Sequence, residues 1–101
     1  MNNKRIRTYL CDERGPNQVR DMLKNIRMKI DIFIDDASHN GAHQVLLAKT
    51  ALPLLRKDVV YIIEDVKHPE HVSEHLDKYD CEVIECSKRW RDDKLVVVKK
   101  C

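Results

Sequence analysis

Ile30-Asp31-Ile32-Phe33-Ile34-Asp35-Asp36 and, further along, Val59-Val60-Tyr61-Ile62-Ile63-Glu64-Asp65 are two short apolar runs, each closed by a pair of carboxylates. Apolar runs of this length, rich in β-branched residues, read as buried strands. Residues 59–63 are the clearest strand in the chain; in residues 30–34 the charged Asp31 is the odd member. Between the runs, Val45, Leu46, Ala48, Leu52 and Leu55 recur at helical spacing. That spacing predicts a helix over residues 41–55, with Pro53 bending or shortening its last turn. Strand, helix and strand in this order form the unit of a parallel sheet closed by a right-handed crossover.

The same reading extends outward. Upstream, residues 5–11 alternate in part and are rich in strand formers, and residues 12–17 form a turn punctuated by Gly15-Pro16. Asn17 is placed to cap a helix whose apolar side is Val19, Met22, Leu23 and Ile26. Downstream, His68-Pro69 opens a helix with Pro69 in its first turn, and Val72, His75, Leu76 and Tyr79 make a weak apolar face. Residues 81–86 and 94–100 are strands, with residues 87–93 as a hairpin connection. The expected architecture is one α/β domain over residues 1–101. Its sheet is mostly parallel, with helices on both faces and a C-terminal antiparallel strand.

Composition bounds the function. A chain of 101 residues forms one domain with a thin margin of stability. Its net charge of +2, although 36% of its residues are charged, is too balanced for a dedicated nucleic-acid binder. The four cysteines, Cys11, Cys81, Cys86 and Cys101, include no C-x-x-C pair, which argues against a zinc ribbon or redox motif; Cys101 reads as a free thiol. The first residues are polar and basic, with no apolar stretch after them, and no apolar run is long enough to cross a bilayer. The expectation is a chain in a reducing compartment, most simply the cytoplasm, with no membrane and no nucleic acid among its partners.

The chemistry lies at the strand ends, where open α/β sheets bind ligands. If the two acidic strands are neighbours, their ends lie about 5 Å apart, and Asp35, Asp36, Glu64 and Asp65 crowd one rim. Two unit charges ~4 Å apart repel by about 4 kcal/mol at an effective dielectric near 20. A bound cation, a shifted pKa or diverging side chains must offset that. Oxygen ligands without cysteine favour Mg²⁺, Mn²⁺ or Ca²⁺ over zinc. The plainer reading is that Asp36, Ser38 or Asn40 caps the following helix and Asp65 shapes the turn before Pro69. His39, three residues past Asp36, has the chemistry of a general base or of a surface histidine, and His43 could orient the loop.

Three segments together resemble a known family: Ile32-Phe33-Ile34-Asp35-Asp36-Ala37-Ser38-His39, then Leu52-Pro53-Leu54-Leu55, then Val60-Tyr61-Ile62-Ile63-Glu64-Asp65. They look like the second half of class I S-adenosylmethionine-dependent methyltransferases. The resemblance is to the metal-dependent branch that holds macrolide sugar O-methyltransferases and cephalosporin-hydroxylase-like proteins. The similarity runs over roughly residues 8–100. It implies a truncated Rossmann-like fold supplying strands 3 to 7 of the family order 3-2-1-4-5-7-6. It implies S-adenosylmethionine and Mg²⁺ as cofactors, with Asp36, Glu64 and Asp65 as metal ligands and His39 as the base. It places Asp12 near the adenine, with Asp35 as a supporting residue on the cofactor side. The implied acceptor is a small molecule with a hydroxyl group.

Three features depart from the family pattern. Ala37 replaces a glycine, and Arg56-Lys57-Asp58 stands where a Pro-Gly-Gly turn is usual. With Gly15 and Gly41 as its only glycines, the chain has no glycine-rich loop to cradle the cofactor. A methyltransferase domain, or the metal- and acceptor-binding half of one, is therefore weighed against a non-catalytic remnant that acts as an interaction module. Either form could pair with itself or with a complementing N-terminal half through an exposed sheet edge. A receiver-like phosphoacceptor ranks third, since it needs its acidic pair after the first strand and a lysine after the last parallel one.

Two further clusters are weighed. His68, His71 and His75 share helical spacing that suits either a zinc site or an ordinary wet face. Arg89-Trp90-Arg91 suits base stacking or, more simply, a hairpin whose Trp90 folds back on the sheet.

Overall fold

A computed structural model describes residues 11, 12, 14–26, 29–85 and 94–100. In chain order the elements are α1 (Pro16–Asn25), β1 (Ile32–Asp35), α2 (Gly41–Ala51) followed by a 3-10 turn (Leu52–Leu54), β2 (Val60–Ile63), α3 (Pro69–His75), β3 (Asp80–Glu85) and β4 (Lys94–Lys99). The expected strand over residues 5–11 and the connection holding Arg89-Trp90-Arg91 fall, except for Cys11, outside the described residues.

Each helix begins where the sequence supplies a start. Pro16 opens α1, because a first-turn proline has no N–H to satisfy and its φ already suits a helix. The cap is therefore Gly15, not Asn17, which lies within the first turn and accepts from Arg20 Nη1 at 3.1 Å. Asn40 caps α2, its Oδ1 accepting from the Ala42 and His43 amides at 2.9 and 3.4 Å. Pro53, lacking the donor that would continue the α-ladder, tightens the end of α2 into the 3-10 turn. Pro69 opens α3, which buries Val72 before giving out after two turns.

The sheet order is β1-β2-β4-β3. β1 and β2 run parallel, with Ile32 opposite Val60 and Asp35 opposite Ile63. β4 runs antiparallel to both β2 and β3. Three strands thus share one direction, as expected, but the description of the sheet as mostly parallel needs correcting at the level of pairing. The opposed strand β4 sits in the interior between β2 and β3, so the only parallel ladder among the described strands is β1–β2. This α/β arrangement, with its four-stranded mixed sheet, is compatible with a small Rossmann-like fragment.

The core is one cluster on one face of that sheet. Tyr61, Ile63, Val96 and Val98 point into it and are fully buried. They pack with Val19 and Leu23 of α1, Val45, Ala48 and Ala51 of α2, Leu52 after it, Val72 of α3 and Leu76. Phe33 stacks on Tyr61 with ring centroids 4.8 Å apart. The other face carries Ile32, Ile34, Val60, Ile62, Leu95, Val97 and Ile84 by strand alternation. Of these, Ile32 and Ile34 are 59% and 58% exposed. The expectation of helices on both faces is corrected accordingly: among the described residues all three pack on one. Right-handed crossovers that step across a sheet in a single direction leave their helices on the same side.

Candidate functional site

The ends of β1 and β2 lie side by side, with the Glu64 amide donating to the Asp35 carbonyl at 2.9 Å. The two acidic pairs do share one rim, and alternation then sorts them. Asp35 points to the core side and is buried; its Oδ1 accepts from the Ala37 amide at 3.2 Å and so bends the chain into the loop before α2. Asp36 is exposed and faces Glu64 closely enough for the two carboxyl groups to share a hydrogen bond. Glu64 is pushed above its ordinary value first by the charge of Asp36, then by partial loss of water, then by Asp65. Asp65 has a φ of 56°, the left-handed region, where a side chain strains against its own backbone. Its carboxylate lies 3.8 Å from His39 Nε2.

The loop between β1 and α2 is held by its own polar residues. Ser38 Oγ accepts from the Asn40 amide at 3.0 Å and meets His43 Nδ1 at 3.2 Å. His43 thus braces the loop, as its spacing suggested. Asp12 is turned to its own neighbourhood. Its Oδ1 accepts from the Arg14 amide at 2.9 Å and from Arg14 Nε at 3.4 Å, and the amide bond holds its carboxyl below the usual carboxylate range.

Beside the acidic rim, between the starts of α2 and α3, lies a cleft of about 510 Å³. His39, Asn40, Gly41 and Ala42 form one wall, and Lys67, His68, Glu70 and His71 the other. His71 and His75 touch, with centroids 4.3 Å apart, while His68 pairs with Glu70 at 3.6 Å. The histidines of α3 therefore do not close on a common point. Among the described residues, no three His, Cys, Asp or Glu side chains gather into a group that could hold a metal ion.

The structure therefore brings together Asp36 with Glu64, and Asp65 with His39, as two adjacent pairs on one rim. It sets Asp35 beneath them and leaves Asp12 bonded to Arg14. Sequence reasoning missed Gln44, which is fully buried at the base of the rim. The signal was present: Gln44 is a polar residue on the helical face that also carries Val45, Ala48 and Ala51.

Over 63 residues, 62% of its length, the chain is 38% identical to 8-demethyl-8-alpha-L-rhamnosyl tetracenomycin-C 2'-O-methyltransferase of Streptomyces olivaceus. That stretch is 16% of the relative, so the chain spans only a small part of the protein it matches. No family model and no solved structure matches. The likeness is to a methyltransferase, over part of the chain. No helix among the described residues is long and apolar enough to cross a membrane.

Proposed function

We propose that this chain is the metal- and acceptor-binding half of an S-adenosylmethionine-dependent O-methyltransferase. The observation that carries the reading is the single rim holding the Asp36–Glu64 pair beside the His39–Asp65 pair, in a chain partly similar to a sugar O-methyltransferase. The sheet order β1-β2-β4-β3 supports it, being that of strands 4, 5, 7 and 6 in the order the resemblance implies.

On the chemistry of its donors, the Asp36–Glu64 pair suits a hard divalent cation such as Mg²⁺, since two crowded carboxylates are relieved by positive charge. Asp65 stands beside this pair with its carboxylate turned to His39. Bound there, the cation would lower the pKa of an acceptor hydroxyl. His39, exposed at the mouth of the cleft, takes the hydroxyl proton, and the Asp65 carboxylate orients its ring and stabilises the imidazolium that results. The acceptor, a small molecule with a hydroxyl group, lies in the cleft between the starts of α2 and α3.

Among the described residues, no glycine-rich cradle for S-adenosylmethionine is formed. Gly15 caps α1 and Gly41 opens α2 against His71, so neither belongs to a glycine-rich cradle. The half-reaction assigned to this chain therefore ends at acceptor activation, and a complementing segment supplies the methyl donor's site.

Calorimetric titration with Mg²⁺ or Mn²⁺ tests the metal seat. Binding is expected, and Asp36→Asn or Glu64→Gln should weaken it by about tenfold or more. Absence of heat with either ion sinks the reading. The missing cradle favours one other reading, a remnant that keeps the fold as an interaction module. The metal titration separates the two, since neither gives this chain a cofactor cradle of its own: no binding of Mg²⁺ or Mn²⁺ selects the remnant.

A further inference from the structure

We propose that Gln44 is a positioning residue of this site. By hydrogen bonds from one side-chain amide, it ties the loop after β1 to the loop after β2 and so fixes His39 against the acidic residues. The proposal rests on the reading of the rim given above. Gln44 stands one turn into α2 and is 1% exposed. Its Nε2 donates to the Ser38 carbonyl at 2.8 Å, the Glu64 carbonyl at 3.2 Å and the Asp65 carbonyl at 3.3 Å. An amide nitrogen has two protons. One makes the short bond to Ser38, and the other is shared by the adjacent carbonyls of Glu64 and Asp65. The orientation of the amide is fixed by the same contacts, because turning it over would set Oε1 against three carbonyl oxygens.

The acceptors are what give the contact its meaning. Ser38 immediately precedes His39. Glu64 carries the carboxylate that faces Asp36. Asp65 carries the carboxylate that faces His39 and adopts the left-handed backbone conformation, which persists only where surroundings hold it. One side chain therefore grips the backbone of both halves of the rim. Gln44 Oε1, meanwhile, is buried with no hydrogen-bond partner among the described residues. Such an oxygen is unfavourable, and a methionine would fill the same space without it. The donor end of the amide accounts for a glutamine here; space filling does not.

The test uses the whole chain. In Gln44→Met, the order parameters of the amides of residues 38–40 and 64–66 are read by ¹⁵N relaxation, and Mn²⁺ affinity by calorimetry. Leu47→Ala, a cavity variant in the same helix, is the control for lost stability. In Gln44→Met both loops should loosen together and Mn²⁺ bind about tenfold more weakly, while Leu47→Ala keeps ordered loops and wild-type affinity. Loops as ordered as in the wild type overturn the proposal, as does equal loosening in Leu47→Ala. Loosened loops with unchanged Mn²⁺ affinity reduce Gln44 to a structural role and also overturn it. If the wild type takes up no Mn²⁺ yet the loops loosen in Gln44→Met, the clamp stands and the metal reading falls. Gln44→Asn, whose amide stops one methylene short of the carbonyls, gives the same readouts should the methionine variant fail to fold.

Discussion

At the rim, Asp36 and Glu64 oppose each other across a gap that folding closes. Asp36 raises the proton affinity of Glu64 in the folded chain relative to the unfolded one. The folded state therefore binds the proton more tightly, and stability must fall as pH rises from the ordinary Glu value of 4.5 through the raised one. Glu64→Gln removes that fall. The variant should melt above the wild type at about pH 7, with the difference vanishing once Glu64 is protonated in both states. Thermal unfolding at the two pH values checks this, and a variant that melts lower at neutral pH refutes it. A cation acts in the opposite sense on the same pair. At ~100 times its Kd, Mg²⁺ would add about 2.7 kcal/mol to the wild type and far less to Glu64→Gln.

Helix ends show how far the elements could be read from the chain. Pro53 and Pro69 were legible because a missing N–H acts on its own neighbours, and both ended or began a helix where expected. Lys100 was not legible. Its Nζ donates to the Leu52 and Leu55 carbonyls at 2.8 and 3.0 Å, closing the 3-10 turn from the far end of the chain. A lysine after a strand carries no mark of that partner. Replacing it by methionine keeps the stem and removes the donors, so Lys100→Met should cost about 2 kcal/mol in urea unfolding; an unchanged midpoint would show the bonds to be idle. Strand order was hidden for a similar reason. A closing hairpin can sit with either strand inward, and only the packing of Val96 and Val98 beside Tyr61 and Ile63 decides for β4. The acidic rim was legible because alternation along two strands needs only local sequence. The split into an Asp36–Glu64 pair and an Asp65–His39 pair was not, since it depends on the turn at Asp65.

Across the whole molecule, the two faces of the sheet differ in what they contribute. Ile63 is fully buried beneath the helices, whereas Ile34 is 58% exposed on the opposite face. Ile63→Ala should therefore cost about 2–5 kcal/mol. Ile34→Ala should stay within roughly 1 kcal/mol of the wild type, close to the range of surface substitutions. Comparable losses in chemical denaturation would mean that the second face is covered in solution.

The parallel ladder between β1 and β2 also has a kinetic consequence. β3 and β4 are consecutive in sequence and pair antiparallel, so little chain has to be closed before they meet. β1 and β2 must close the longer loop that contains α2, a larger entropic cost before any contact rewards it. The acidic rim lies at the mouth of that ladder. The rim therefore exists only while that junction is shut, and it is lost as soon as the junction opens. An ion or small molecule bridging the two loops would act as a latch on this junction, lengthening the lifetime of the folded chain wherever the bridge forms after the folding transition state.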